Sequence, residues 1–260
     1  MIRAFFSAVA FLTVIPIPDA LKSRTANGMF AGYPPAGIVI GALFSMVLFA
    51  AGLLFPAALT AVALIALSLL LTGAIHLDGL ADCADAFYGR RDRETTLRIL
   101  KDPRIGTMGG AAIGLSLLAR FAALISLPVH LALFCLPVMA MLSRSAVIPA
   151  MRILPYVRTE AGILPARSAG GRGALAFSLA ALLACFVLVP IPACAAFLVL
   201  GLFWRLSWKR IGGCTGDVLG ATIEIAEIVF LLALVAVSRA PVDWMARGSL
   251  LGVLFPVALR

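Results

Sequence analysis

The chain has 260 residues, 63% hydrophobic and only 13% charged, with a net charge of +9. A soluble domain is about half apolar and about a quarter charged, so this composition, with mean hydropathy +1.10, points to an integral membrane protein. Five cysteines without a CxxC pair argue against a cysteine metal site or a disulfide framework.

The N-terminal stretch "MIRAFFSAVAFLTVIPIP" has a charge and an apolar run but no small-x-small cleavage site, so it is expected to be retained. Its apolar part, 4–17, is too short to cross a bilayer easily and suits an interfacial or re-entrant position. Spans are then expected near 36–55, 57–75, 109–127, 129–150, 174–190, 193–204 and 218–238, the sixth being short. A second short segment follows at 249–258. A helix satisfies its backbone hydrogen bonds internally, as a lipid environment demands. The expected fold is therefore all-α: one polytopic helix bundle over 1–260, with seven crossings as the best count and six to eight as the range.

Charge in the connections sets the expected orientation. Lys22 and Arg24, then Arg90, Arg91, Arg93, Arg98, Lys101 and Arg104, then Arg152, Arg158, Arg167 and Arg172, then Arg205, Lys209 and Arg210 fall in alternate loops. The other turns, around "GLLFPA", "SLPV" and "VPIPA", carry no basic residue. By the positive-inside rule the basic loops face the cytoplasm. The +9 charge is then mostly topology, and nucleic acid is not an expected partner.

Three motifs carry the chemistry. In "HLDGLADCADAFYG", Asp78, Asp82 and Asp85 recur at i, i+4 and i+7, one face of a helix. Like charges on one stripe repel, and a divalent cation relieves that repulsion. Mg²⁺ takes oxygen ligands and often completes its shell with substrate phosphate. His76, two residues before Asp78, is a candidate base or phosphate ligand. Next, "RRDRETTLRILKDPRIGTMGG" offers Arg98, Lys101 and Arg104, cations suited to a polyphosphate beside the acids, although ordinary positive-inside anchoring accounts for Arg90, Arg91 and Arg93. Last, "GGCTGDVLGATIEIAE" places Asp217, Glu224 and Glu227 on one helical face, the two glutamates about 10 and 15 Å beyond Asp217. Acids at such depth are functional candidates by default. The preceding turn, with Gly213, Thr215 and Gly216, could offer backbone N–H groups to a phosphate. Arg120 and Arg144 sit inside expected spans and need acidic partners, for which these glutamates and aspartates are candidates. Together the motifs suit metal-assisted phosphoryl transfer in a cytoplasm-facing membrane pocket.

"HLDGLADCADAFYG", "ILKDPRIGTMGG" and "GGCTGDVLGATIEIAE", with "FLTVIPIP" and "YPPAGIVIGAL", closely resemble the signatures of the cobalamin synthase family, the adenosylcobinamide-GDP ribazoletransferases. The resemblance runs from about residue 5 to 238. It implies a Mg²⁺-dependent, multi-pass enzyme of the bacterial inner membrane. Such an enzyme joins adenosylcobinamide-GDP to α-ribazole, or its 5′-phosphate, giving adenosylcobalamin, or its 5′-phosphate, and GMP. Carried onto this chain, it implies Asp78, Asp82, Asp85, Asp217, Glu224 and Glu227 as metal-site acids. Asp82, Asp85 and His76 become the candidate catalytic groups, and Arg98, Lys101, Arg104, Gly213, Thr215 and Gly216 the candidate substrate contacts. The implied partners are these substrates and the lipid bilayer, with self-association into a homo-oligomer left open. "DGLAD" is also similar to the aspartate motif of the CDP-alcohol phosphatidyltransferases, but "YGRRDRE" supplies only Asp92 where that family has two further aspartates. A lipid-directed CDP-alcohol phosphotransferase and a cation-coupled transporter are therefore the competing readings. The gathering of acids toward one side of the membrane argues against the transporter.

Overall fold

The computed structural model describes residues 1–23, 26–157 and 171–239. Arg24, Arg158, Arg167, most of the loop expected at 152–173 and the 249–258 segment lie outside the described residues. Among the described residues the chain runs through α1 (Ile2–Leu12), α2 (Tyr33–Gly52), α3 (Ala57–Thr72), α4 (Ile75–Phe87), α5 (Arg93–Ile99), α6 (Thr107–Ser126), α7 (Val129–Ser145), α8 (Val147–Ile153), α9 (Arg172–Leu188), α10 (Pro190–Ile211) and α11 (Gly216–Ser238). Two 3₁₀ segments, Asp19–Leu21 and Ala26–Gly32, link α1 to α2.

The all-helical expectation holds, and the apolar helices fit a multi-pass membrane protein. The count of seven is not confirmed. Five helical stretches are long and apolar enough to cross: Gly28–Gly52, Thr107–Ser126, Val129–Ile153, Pro190–Ile211 and Gly216–Ser238. A sixth is reached only by joining α3 to α4 across a bend of 87°. α9, expected to span, has 17 residues. At 1.5 Å per residue it reaches about 26 Å, short of a hydrocarbon core of about 30 Å. α10, expected to be short, runs for 22 residues instead. Pro190 starts it at a position where a missing N–H costs nothing. Its basic end persists as helix because Lys209 and Arg210 in the last turn complement the C-terminal dipole.

The bend follows from local backbone. Gly73 closes α3 at φ 60°, and Ala74 repeats the left-handed conformation at φ 57°. Two such residues in succession cannot continue a right-handed helix. The chain turns and restarts as α4, with the Asp78 N–H donating to the Ala74 carbonyl at 2.9 Å.

Small residues let the helices approach. On α2, Gly37 and Gly41 form a GxxxG ridge against α7. A Cβ on Gly41 would lie 2.5 Å from the Leu136 carbonyl oxygen, and one on Gly37 2.8 Å from Met141 Cα. α11 occupies the middle, packed on α4, α6, α7 and α10. Several charged connections meet at one end of the bundle. The Arg93 guanidinium donates to the Ile211 carbonyl at 2.7 Å. The Cys214 N–H donates to the Pro155 carbonyl at 2.9 Å, and the Val157 N–H returns to the Cys214 carbonyl at 3.0 Å.

Gly41→Ala forces α2 away from the Pro137 turn of α7. A loss of about 1–3 kcal/mol is expected, as for overpacked cores. Thermal unfolding of the detergent-solubilised protein measures it, and an unchanged midpoint would show that α2 and α7 do not pack through this glycine.

Candidate active site

α4 and α11 cross at their first turns, and two glycines make the crossing close. A Cβ on Gly79 would lie 2.6 Å from the Asp217 carbonyl oxygen. From the other side, a Cβ on Gly220 would lie 3.1 Å from the Ile75 carbonyl oxygen. The crossing brings Asp78, on the exposed side of α4, to the same cavity as Asp217 and Gly216 at the start of α11. Both acids sit in the first turn of their helices, where the N-terminal dipole favours negative charge. The cavity measures ≈ 240 Å³, and His76 and Tyr33 also line it.

The remaining acids go elsewhere. Asp78 and Asp85 share a helix face as expected, but seven residues put them about 10 Å apart along the axis. Asp85 serves the next helix. Its Oδ2 accepts the Gly106 N–H at 2.7 Å and its Oδ1 the Gly109 N–H at 2.9 Å. It thus caps the N-terminus of α6, which has no cap of its own. The glycines are needed there, because a Cβ on Gly106 would lie 2.8 Å from the Asp85 carboxyl carbon. Asp82 lies between these two, half-buried.

Glu224 and Glu227 are buried and paired with both intramembrane arginines, as those arginines require. Arg120 donates to Glu224 Oε2 at 2.8 Å and to Glu227 Oε2 at 2.9 Å. Arg144 is paired with Glu227. Ser116 donates to Glu224 at 2.7 Å, and Ser143 to Glu227 at 3.2 Å. The six acids therefore do not converge, and among the described residues no three His, Cys, Asp or Glu side chains form a metal-binding group. His76 stands between the two arrangements. It borders the Asp78–Asp217 cavity and a ≈ 20 Å³ cavity lined by Arg120, Arg144, Glu224 and Glu227. Its Nε2 is buried without a hydrogen-bond partner.

The glycine-rich turn is built for packing more than for display. The Cys214 N–H is taken by Pro155, and a Cβ on Gly213 would lie 2.6 Å from the Val157 side chain. Thr215 is buried and caps α11, accepting the Val218 N–H at 3.4 Å. Of the three residues expected to touch substrate, only Gly216 lines the cavity.

A second, open cavity of ≈ 560 Å³ lies at the other end of the α4 acid face, lined by Asp85, Tyr88, Arg91, Asp102, Arg104 and Thr107 among others. Arg104 grips Asp102 with two bonds, 2.9 and 2.7 Å. The guanidinium holds the Asp102 carboxyl down to about 2. Arg98 and Lys101 are exposed on α5 and just after it, and border neither cavity. Sequence reasoning assigned Arg91 to positive-inside anchoring, whereas it lines this cavity, and did not anticipate the helix α5. The signal for α5 was present: Asp92 caps it, accepting the Thr95 N–H at 2.7 Å, which lowers the Asp92 carboxyl.

Glu227→Ala strands two buried guanidinium groups against one remaining carboxylate. A loss of about 3–5 kcal/mol is expected, the cost of breaking a buried pair from one side. Asp85→Asn keeps one acceptor of two and should cost about 1 kcal/mol. Denaturation in detergent ranks the two, and equal costs would contradict the distinction between core pair and cap. The Asp102 carboxyl is depressed in the folded state, so its contribution is present above the unfolded value and lost only as pH falls through about 2. Asp102→Asn should therefore leave the shape of the stability–pH curve unchanged around neutrality.

The model of the cobalamin-5-phosphate synthase family matches residues 4–235. Relatives include the adenosylcobinamide-GDP ribazoletransferase of Chlorobaculum parvum, 36% identical over 88% of this chain and 93% of the relative. That of Pseudomonas syringae pv. syringae is 37% identical, with 88% and 98% covered. That of Rhizobium johnstonii is 36% identical, with 87% and 94% covered. No solved structure gives a significant match. A family model spanning nearly all of the described helices, together with relatives aligned along almost their full length, establishes that the chain belongs to the cobalamin-5-phosphate synthase family.

Proposed function

We propose that the chain joins adenosylcobinamide-GDP to α-ribazole, or to its 5′-phosphate, releasing GMP, and that the α4–α11 crossing is where this happens. The observation that carries the reading is the pairing of Asp78 and Asp217 on one cavity wall between two helix N-termini. The relatives' printed activity names the substrate and the group transferred.

The site's donors fit Mg²⁺. Asp78 and Asp217 are hard oxygen ligands facing one cavity, and this ion commonly takes one or two carboxylates and leaves the rest of its shell to water and phosphate. Asp82, one turn along α4 from Asp78, does not line the cavity and is assigned to the proton rather than to the ion. Glu224 and Glu227 stay with their arginines and Asp85 with its amides. When bound, the ion would neutralise charge on the pyrophosphate.

The chain's own groups supply the rest. A ribose hydroxyl of ribazole is held at the Asp78–Asp217 cavity, where its oxygen forms a bond to the cobinamide-side phosphorus. The bond from that phosphorus to the bridging oxygen breaks, and GMP leaves with the oxygen. Asp82 accepts the hydroxyl proton. The α4 and α11 N-termini stabilise the phosphoryl oxygens. The guanosine half extends along α4 toward the open cavity lined by Arg91 and Arg104. The positive-inside rule supports a cytoplasmic position for this end of the bundle, within reach of soluble nucleotides. Neither competing reading is favoured: the family model is not that of a lipid phosphotransferase, and the deep acids are neutralised by arginine.

Purified protein in nanodiscs, given adenosylcobinamide-GDP, α-ribazole and Mg²⁺, should release GMP and the cobalamin product. Chelation should abolish turnover, and added Mg²⁺ restore it. Asp82→Asn, Asp78→Asn and Asp217→Asn should each lower kcat at least about a hundredfold, the scale of a lost general base or charge partner, with folding intact. Near-normal turnover of all three at saturating Mg²⁺ would move the reaction away from this cavity.

A further inference from the structure

The ≈ 20 Å³ cavity at the buried charge cluster has a polar lining, with His76, Arg144, Glu224 and Glu227 joined by Ser68 and Thr72 of α3. Two of these residues each bury a polar atom that no group on the protein pairs with: His76 at Nε2 and Arg144 at Nε. His76 is 6% exposed and Arg144 1%. Nη1 of Arg144 is committed to Ser143 and Glu227, which leaves the Nε–H to be satisfied. Ser68 and Thr72 cannot donate into the cavity. Their hydroxyls donate to the Ile65 and Ser68 carbonyls at 2.7 and 2.8 Å.

Buried polar groups are costly when left unpaired, and polar cavities commonly meet that need with water. A water needs about 10–15 Å³ of space and roughly two to four polar partners. This cavity therefore takes one molecule and not a cluster. We propose that one ordered water here accepts the Arg144 Nε–H and is hydrogen-bonded to His76 Nε2, and that His76 through it is a positioning residue for Asp78. The Glu224 and Glu227 carboxylates on the same lining can take the water's O–H groups. A single confined molecule joins these groups without admitting bulk solvent to the cluster. The bridge runs from α7 to the first turn of α4, two residues before Asp78. α4 is entered through the left-handed pair Gly73 and Ala74, which does not carry helix rotation across from α3. The anchored ring, with the Gly79–Gly220 contact, sets that rotation instead. The ring nitrogen so held is not free to take a substrate proton, and the role of base stays with Asp82.

A crystal structure of the full-length protein grown in a lipidic mesophase, at a resolution that shows ordered water, tests the bridge without turnover. One solvent peak is expected within about 2.7–3.2 Å of both His76 Nε2 and Arg144 Nε. A cavity without density, or His76 Nε2 bonded directly to a protein group, would overturn the water site. The positioning role rests on the function proposed above and is read from kinetics in nanodiscs. His76→Phe keeps a ring but no polar atom. It should lower kcat at least about tenfold, the scale of a lost supporting contact, with both KM values within about twofold. His76→Gln, which restores a polar group near the Nε2 position but cannot act as a base, should recover most of that loss. Wild-type kcat in His76→Phe, or a glutamine variant as slow as the phenylalanine one, would overturn the positioning role. A water peak in a protein that releases no GMP would instead overturn the proposed reaction and leave the water site standing.

Discussion

Two arginines and two glutamates are buried together where α6, α7 and α11 meet, and the bundle depends on their pairing. No water is at hand in a membrane interior to solvate a lone guanidinium or carboxylate, so each charge must find its complement within the protein. Arg120 and Arg144 come from different helices, and both reach Glu227 on a third. The arrangement ties those helices at one depth and in one rotation. Misrotating α11 by a single residue, about 100°, would turn both glutamates away from their arginines. The same rotation sets the position of Asp217, about two turns toward the N-terminus. The N-terminal end of α11 is thus aligned by a charge cluster that takes no direct part in the chemistry proposed for it.

The second constraint is steric. α4 reaches α11 only because Gly79 and Gly220 carry no Cβ. With the backbones in contact, Asp78, next to Gly79, and Asp217, whose own backbone Gly79 touches, are forced to a common edge. Charge and close approach act on perpendicular features, one on helix rotation and the other on separation, so together they locate the acids more firmly than either could. His76, between the charge cluster and the cavity, links the two.

Much of this was legible in the sequence, and the reasons differ by feature. Spans and basic loops show in composition, because a membrane imposes both. The need of Arg120 and Arg144 for acidic partners was visible from burial alone. The helical spacing of Asp78, Asp82 and Asp85 was also visible, but their division of labour was not. Asp85 is absorbed by α6, whose start at Gly106 becomes adjacent only when the loop folds back. Glu224 and Glu227 look like metal ligands until two distant helices supply arginines. Gly213 and Cys214 suggested a phosphate cradle by composition, whereas their backbone pairs with residues 155–157, a partner sixty positions away. Seven crossings are not confirmed because α9 has only 17 residues and α3 reaches crossing length only together with α4 across the bend; α10 outruns its apolar core because helices continue through amphipathic ends that hydropathy discounts.

The break at Gly73 and Ala74 has a consequence for the lipid. α3 has 16 residues, a length of about 24 Å, which leaves it several ångströms short of a typical hydrocarbon thickness. The chain then swings through 87° into α4. A bilayer meeting so short an element thins locally or admits headgroups and water. The hydrophobic mismatch would therefore form a wet dimple over α4, lowering the interface toward the aspartates. A hydrophilic nucleotide conjugate could approach its acids along that depression, without either partner leaving its own solvent.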